Sequence, residues 1–452
     1  MKELLAATAA RATRYTEEIG ARRVAPAAED VAGLEALGGA LPEGPSDPAK
    51  VIALLDDVGS PATVATTGGR FFGFVIGGTL PAALAANWLA GAWDQNAGFR
   101  VMSPVAAKLE DVVLTWMLEL FGLPKGCGAG FVTGTTMANF AGLAAARSAL
   151  LKRAGWNVEE DGLFGAPPIT VVVGEEVHVS LLKPLAMLGM GRSRVVRVPV
   201  DDQGRMRADA LPRLDARTLV CTQAGNVNTG ACDTTGVIAA RAHEVGAWVH
   251  VDGAFGLWAA VSPRYAHLLQ GAEMADSWAI DCHKWMNVPY DSGLAVVRDA
   301  SHLRDAMLLS AAYLQEGGLR EPCHYAPESS RRGRAIEMWA AIRQLGRAGF
   351  AELIERNCRQ AKRFAERLHQ AGFEILNEVV LNQVLVSFGS AEGTKRVVEE
   401  LQQEGTCWCG STQWHGRTAM RISVSSWATT DEDVERSADA MVRIARGVKA
   451  VV

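Results

Sequence analysis

Two short stretches decide the fold: AWVHVDGA at 247–254 and SWAIDCHKW at 277–285. Each begins as an apolar run of strand length and ends on a carboxylate, Asp252 in the first and Asp281 in the second. A run of this kind, bounded by helical stretches, reads as a strand buried on both faces, as in a parallel sheet covered by helices. Lys284 follows the second run directly and is itself followed by Trp285, a poor setting for a solvated charge. A carboxylate at the carboxyl end of a parallel strand stands where α/β sheets bind ligands.

The same pattern extends outward. ITVVVG (169–174), RVVRVPV (194–200), TLVCTQ (218–223) and GLAVVR (293–298) are further candidate strands, with helical spacing over 137–151 and 234–245 between them. The alternation predicts an α/β core with a mostly parallel sheet. Three regions are expected: an N-terminal arm over 1–100, packed on the core or a partner subunit; a large domain over 101–345; and a smaller C-terminal α+β domain over 346–452. No internal repeat or low-complexity segment interrupts them.

Composition narrows the function classes. With 49% hydrophobic and 21% charged residues and a net charge of -5, the chain has the make-up of a globular enzyme, without the basic stripe nucleic acid requires. The opening MKELLAATAARATRYTEEIG is broken by Arg11, Arg14 and Glu17, so it reads as an amphipathic helix rather than a signal peptide. No stretch approaches the roughly 18 uninterrupted apolar residues of a membrane span. A cytoplasmic protein without membrane or nucleic-acid partners is expected. The eight cysteines are scattered, and Cys407 and Cys409, one residue apart, fit neither a zinc knuckle nor a redox pair; no metal site is expected.

Two further pieces carry chemistry. FVTGTTMAN (131–139) opens a helix with small and hydroxyl residues, exposing backbone N–H groups at the positive end of the helix dipole, which suits a phosphate. His178 follows the strand ITVVVG, where an imidazole can stack on a planar ligand. Taken singly, each has an ordinary reading: an N-cap, a hydrogen-bonded histidine, a helix-capping Asp252, an ion-paired Lys284.

Together, in this order and at these separations, Thr-Gly-Thr-Thr-x-Ala-Asn, His178, Asp252-Gly-Ala254 and His283-Lys284-Trp285 resemble the group II pyridoxal-phosphate-dependent amino-acid decarboxylases of the aspartate-aminotransferase fold. The resemblance runs through nearly the whole chain, from FFGF (71–74) and SPVAAKLED (103–111) to AGNVNTGACD (224–233) and PESSRRGRAIEMW (327–339). It implies a seven-stranded, mostly parallel sheet, pyridoxal 5'-phosphate as cofactor, and a homodimer with shared active sites. Lys284 would hold the cofactor as a Schiff base, and Asp252 would pair with the pyridine nitrogen so that the ring serves as an electron sink. His178 would stack on the ring and Ala254 pack on its opposite face. Thr135 and Thr136, the helix amides and His283 would hold the phosphate. Phe72 and Phe74 would border the substrate side chain, so an amino acid with an apolar or aromatic side chain is the expected substrate.

Three positions depart from the family pattern. Thr135 stands where Gly or Ala is usual in the phosphate turn. Asn226 replaces a Gly-Thr-Thr turn; it either bonds the cofactor's 3'-hydroxyl or simply forms the turn. The segment 315–325, which in the family carries a tyrosine that protonates the carbanionic intermediate, is short; Tyr325 is the candidate there, with packing beside Pro327 as its alternative, and Tyr313 lies just before it. Arg421 reads as structural, and Arg331 and Arg332 as a surface or interface pair opening a helix. Aldol cleavage or transamination by the same cofactor is the nearest alternative activity; a ligand-binding protein without catalysis is the remote one.

Overall fold

The computed structural model describes residues 1–308 and 319–451. Tyr313 and residues 315–318 of the expected acid-bearing segment lie outside the described residues. The chain falls into two compact units, a larger one of residues 79–359 and 377–383, and a smaller one of residues 1–78, 360–376 and 384–452.

The larger unit is built on seven strands: β1 (Gly128–Val132), β2 (Thr170–Gly174), β3 (Val196–Val198), β4 (Thr218–Gln223), β5 (Trp248–Asp252), β6 (Ser277–Asp281) and β7 (Gly293–Val297). Their order across the sheet is β1-β7-β6-β5-β4-β2-β3. β7 is antiparallel to both β1 and β6, while the pairs β2–β3, β2–β4, β4–β5 and β5–β6 are parallel. The six strands expected from the apolar runs are all present. The seventh, β1, carries glycines at 128 and 130 and so lacks the β-branched run that marks a strand in sequence. Those glycines are steric requirements: a Cβ on Gly130 would fall 1.9 Å from the Tyr325 carbonyl oxygen, and one on Gly128 2.8 Å from the Ala300 Cα.

Across the sheet lies the helix Thr135–Arg153, whose inner face is mostly alanine and glycine. The small side chains let it approach β5 closely: a Cβ on Gly142 would stand 2.8 Å from the His250 ring. Ala138, Ala141, Leu143 and Leu150 of this helix are buried with Val173, Leu219, Trp248 and Val297 of the strands in one apolar core. Burial of each such large side chain stabilises the fold by about 1.5–3 kcal/mol.

Within the smaller unit, a four-stranded sheet runs β10-β11-β9-β8, from β8 (Glu374–Ile375), β9 (Gln383–Ser387), β10 (Gly410–Trp414) and β11 (Arg417–Ser423). Helices Lys2–Glu18 and Pro48–Gly59, tied by Arg11 to Asp56 and Asp57 at 2.6 Å each, contain no buried residue. Helix Ala335–Gln370 is interrupted at Gly346, whose φ of 59° lies in the left-handed region that glycine adopts without penalty. No helix among the described residues is long and apolar enough to cross a membrane.

Candidate active site

Parallel pairing places Asp252, the last residue of β5, beside Ala279 of β6, so the carboxyl ends of these two strands deliver Asp252, Asp281 and the turn bearing Lys284 to one edge of the sheet. Asp252 is buried, 5% exposed. One of its oxygens accepts from the Asn139 side-chain amide at 3.2 Å and the Ser180 hydroxyl at 3.4 Å; the other accepts from the Ala254 backbone amide at 3.3 Å. Ser180 also meets His178 Nδ1 at 2.8 Å, so one serine joins the two residues expected to face the cofactor ring.

Behind Asn139 stands His250. Its Nε2 lies 2.8 Å from Asn139 Oδ1 and its Nδ1 2.7 Å from the Ser277 hydroxyl. Burial pushes this imidazole down to about 3, so it is neutral. With Asn139 donating through Nδ2 to Asp252, its Oδ1 must accept, which assigns the proton to His250 Nε2. The chain therefore runs His250 to Asn139 to Asp252, and Asp252 ends it as an acceptor.

A second carboxylate organises the lysine. Asp281 Oδ2 is 2.9 Å from Lys284 Nζ, while Oδ1 accepts from the Thr135 amide at 2.6 Å and lies 3.3 Å from His283 Nε2. Burial would raise its carboxyl, but Lys284, His283 and the bond from Thr135 outweigh that and hold it below the usual carboxylate range. Burial pushes the His283 imidazole down against the pull of Asp281. His283 Nδ1 accepts from the Ser292 amide at 3.1 Å, and the Tyr290 ring stacks on the imidazole at 4.2 Å. Gly134 makes this packing possible: a Cβ there would stand 2.8 Å from His283 and 2.9 Å from Asp281, and one on Gly293 would stand 2.5 Å from Gly134 itself.

Several buried polar atoms in this region lack a hydrogen-bond partner among the described residues: Thr135 Oγ1, Asn226 Nδ2 and Ser292 Oγ. Asn226 makes the turn, its Oδ1 accepting from the Asn228 and Thr229 amides at 2.9 and 3.3 Å, while its Nδ2 is left as a spare donor. Buried donors of this kind are costly unless a ligand or water meets them. Spare donors, a helix amino end lined by glycine, a lysine and a buried carboxylate fit a phosphorylated pyridine aldehyde. No group of three or more His, Cys, Asp or Glu among the described residues is placed to hold a metal ion.

The other expected residues belong to other elements. Tyr325 closes the 3-10 turn Pro322–Tyr325, where its ring packs on the core under the Arg320 guanidinium, 4.7 Å away, and its carbonyl lies against β1. In the smaller unit, Phe72 is fully buried and meets Phe364 edge to face at 5.0 Å, so it exposes no wall; its backbone pairs with Trp408 and Ser423. Phe74 is 61% exposed, stacks on Trp408 at 5.3 Å and lines a cavity of about 400 Å³ with Lys395, Glu399 and Arg421. Arg331 is not the surface residue its sequence context suggests: its side chain is 2% exposed and lies 2.6 Å from the buried Glu110, and the helix expected to open there begins at Ala335. Arg332 pairs with Glu337. Asp281, Asn139 and Ser180 are the residues that sequence reasoning left without a role.

This sheet, with a lysine after one inner strand and a buried aspartate ending its neighbour, defines a pyridoxal-phosphate enzyme of the aspartate-aminotransferase fold. The pyridoxal-dependent decarboxylase conserved domain matches residues 41–389, and the chain belongs to that family. It is 25% identical to the aromatic-L-amino-acid decarboxylase of Bacillus atrophaeus, over 87% of this chain and 84% of that protein. It is 27% identical to tryptophan decarboxylase 1 of Oryza sativa subsp. japonica, over 83% and 79%, and 26% identical to the L-2,4-diaminobutyrate decarboxylase of Acinetobacter baumannii, over 78% and 73%. In fold it resembles the crystal structure of Oryza sativa TDC with PLP and tryptamine, with a TM-score of 0.90, 21% identity and coverage of 99% and 97%. Mouse CSAD gives 0.89, 21%, and 98% of each chain. The protein is thus a pyridoxal-phosphate-dependent amino-acid decarboxylase.

Proposed function

We propose that the reaction is α-decarboxylation of an L-amino acid with an apolar or aromatic side chain, centred on Lys284, in a cytoplasmic homodimer. The observation that carries this reading is the pair of buried carboxylates around the lysine: Asp281 within 2.9 Å of Nζ, and Asp252 at the end of the adjoining parallel strand. When bound, the cofactor supplies an electron sink for the pair of electrons left at the α-carbon as carbon dioxide departs.

The chain's own residues divide the remaining work. Lys284 would hold the cofactor through its aldehyde carbon. Asp252, kept an acceptor by Asn139 and His250, holds a proton at the pyridine nitrogen. His178, held by Ser180, would face the ring, Ala254 would flank it, Asn226 would offer Nδ2 to the 3'-oxygen, and Thr135 and Thr136 would take the phosphate, with His283, its nitrogens engaged by Ser292 and Asp281, standing beside it. For Tyr325, the contacts with Arg320 and the core support the packing role weighed beside the acid role. Phe74 is proposed for the substrate side chain, on its exposure beside Trp408 and on the substrates named by two of the relatives, aromatic L-amino acids and tryptophan. Phe72 would act only by backing that segment.

A panel of amino acids tests this reading. Amine and carbon dioxide from tryptophan, tyrosine or phenylalanine are expected; turnover confined to aspartate or glutamate would contradict the apolar or aromatic preference. A 2-oxo acid, or glycine with an aldehyde, as the main product would contradict decarboxylation of that substrate.

A further inference from the structure

Asp281 stands where an anion should be unwelcome. Its carboxylate takes the Thr135 amide at 2.6 Å, the first of the helix Thr135–Arg153 and one of the donors that a phosphate at that end would use. The Thr135 hydroxyl beside it is buried, makes no hydrogen bond of full geometry among the described residues, and pulls on the same carboxylate. One buried carboxylate and one dianionic phosphate would thus share the positive end of one helix.

While the site holds no phosphate, the carboxylate is balanced by Lys284 at 2.9 Å. The other groups facing Asp281 and His283 supply little positive charge. From the segment before β7 come the Tyr290 ring on His283, the Ser292 amide at 3.1 Å, and Asp291, whose own charge is paired with Arg334 at 3.0 Å. From the helix come the Gly134 backbone and the Thr135 amide, and the Trp258 indole reaches the Asp281 backbone oxygen at 3.4 Å. His283 Nδ1 already accepts from Ser292, so its Nε2 carries the hydrogen towards Asp281 and a second proton on the ring would displace the Ser292 bond. Asp281 Oδ2, vacated when Lys284 turns to another partner, is the open acceptor.

We propose that Asp281 is a positioning residue that ties capture of the phosphorylated cofactor to a proton: ionised while it pairs with Lys284, its carboxyl shares one proton, taken from solvent, with the phosphate when phosphate occupies this helix end. Bridged to the phosphate by that proton, it keeps the Thr135 amide and His283 in place without opposing the phosphate. Like charges brought together in a buried site cannot both persist, and a proton held between the carboxyl and the phosphate, both of which are bases, removes one of them. The proposal rests on the reading of this helix end as the phosphate site.

The test compares pyridoxal 5'-phosphate with pyridoxal, which lacks the phosphate, on the cofactor-stripped full chain and on Asp281→Asn, between pH 7 and 9, where the phosphate stays dianionic. For pyridoxal 5'-phosphate, the dissociation constant of the wild type relative to Asp281→Asn should rise with pH, approaching tenfold per unit and reaching at least about tenfold at pH 9. For pyridoxal, which engages Lys284 in the same way, the ratio should stay flat. Calorimetry of the wild type alone at pH 8, in buffers of different ionisation enthalpy, should show about one more proton taken up with pyridoxal 5'-phosphate than with pyridoxal. Equal proton counts, or the same ratio for both ligands, would overturn the proposal while leaving the phosphate site intact. Equal affinity of the wild type for the two ligands would overturn the phosphate-site reading as well.

Discussion

At the scale of single residues, the site depends on groups that hold other groups. Asp252 is set by Asn139 and Ser180, and Asn139 in turn by a neutral His250. This neutrality has a cost at low pH. The folded-state value of about 3 for His250 lies below the roughly 6.5 of an unfolded histidine, so the unfolded chain binds a proton that the folded chain refuses as pH falls from about 6.5 towards 3. Stability is lost through that window at up to about 1.4 kcal/mol per pH unit. Asp233, which burial raises to about 6, acts in the opposite sense, so the clean measurement is a difference. Between pH 6.5 and 4.5, urea midpoints of His250→Gln should fall less steeply than those of the wild type; parallel curves would contradict the assignment of a buried neutral imidazole. Lys284, Asp252 and His178 were legible because each follows a recognisable apolar strand. Asn139 and Ser180 were not, because a small polar residue on a helix acquires its role only when the helix is laid over the sheet.

At the scale of elements, close backbone approach explains what the apolar pattern could not show. Six strands announced themselves by Val, Ile and Leu runs; β1 did not, because the space beside it admits only glycine. The same requirement recurs at the phosphate turn, where Gly134 and Gly293 face each other across a gap too small for a Cβ. Gly130→Ala would drive its methyl into the Tyr325 carbonyl and displace the turn Pro322–Tyr325, so a loss of about 1–3 kcal/mol in unfolding free energy is expected from overpacking. An unchanged denaturation midpoint would show that the turn yields freely. The family pattern placed Phe72 and Phe74 together on the substrate, yet the backbone of Phe72 pairs with Trp408 and Ser423 and its ring turns to the core, a fate decided by long-range pairing rather than by local sequence.

At the scale of the whole molecule, the large α/β sheet and the small α+β unit were legible from the order of runs and helices. The grouping of residues 1–78 with the C-terminal residues was not, because the contacts that join them span more than 280 positions of chain. Helices Lys2–Glu18 and Pro48–Gly59 contain no fully buried residue, while Leu5, Val51, Leu54 and Leu55 are about half exposed or more. Exposed apolar side chains grouped on amphipathic helices mark an interaction surface. The proposed homodimer predicts a solution mass of twice 48.2 kDa by light scattering, falling to a single copy when residues 1–59 are removed. A monomeric full chain would remove the basis for shared active sites.

Whether Lys284, in the turn after β6, bears the cofactor is tested most directly by borohydride reduction of the holoenzyme. Reduction followed by proteolysis and mass spectrometry should place a phosphopyridoxyl group on the peptide carrying Lys284, and Lys284→Ala should keep the fold but lose both the label and turnover. A label on any other lysine, or undiminished decarboxylation by Lys284→Ala, would contradict the assignment of Lys284.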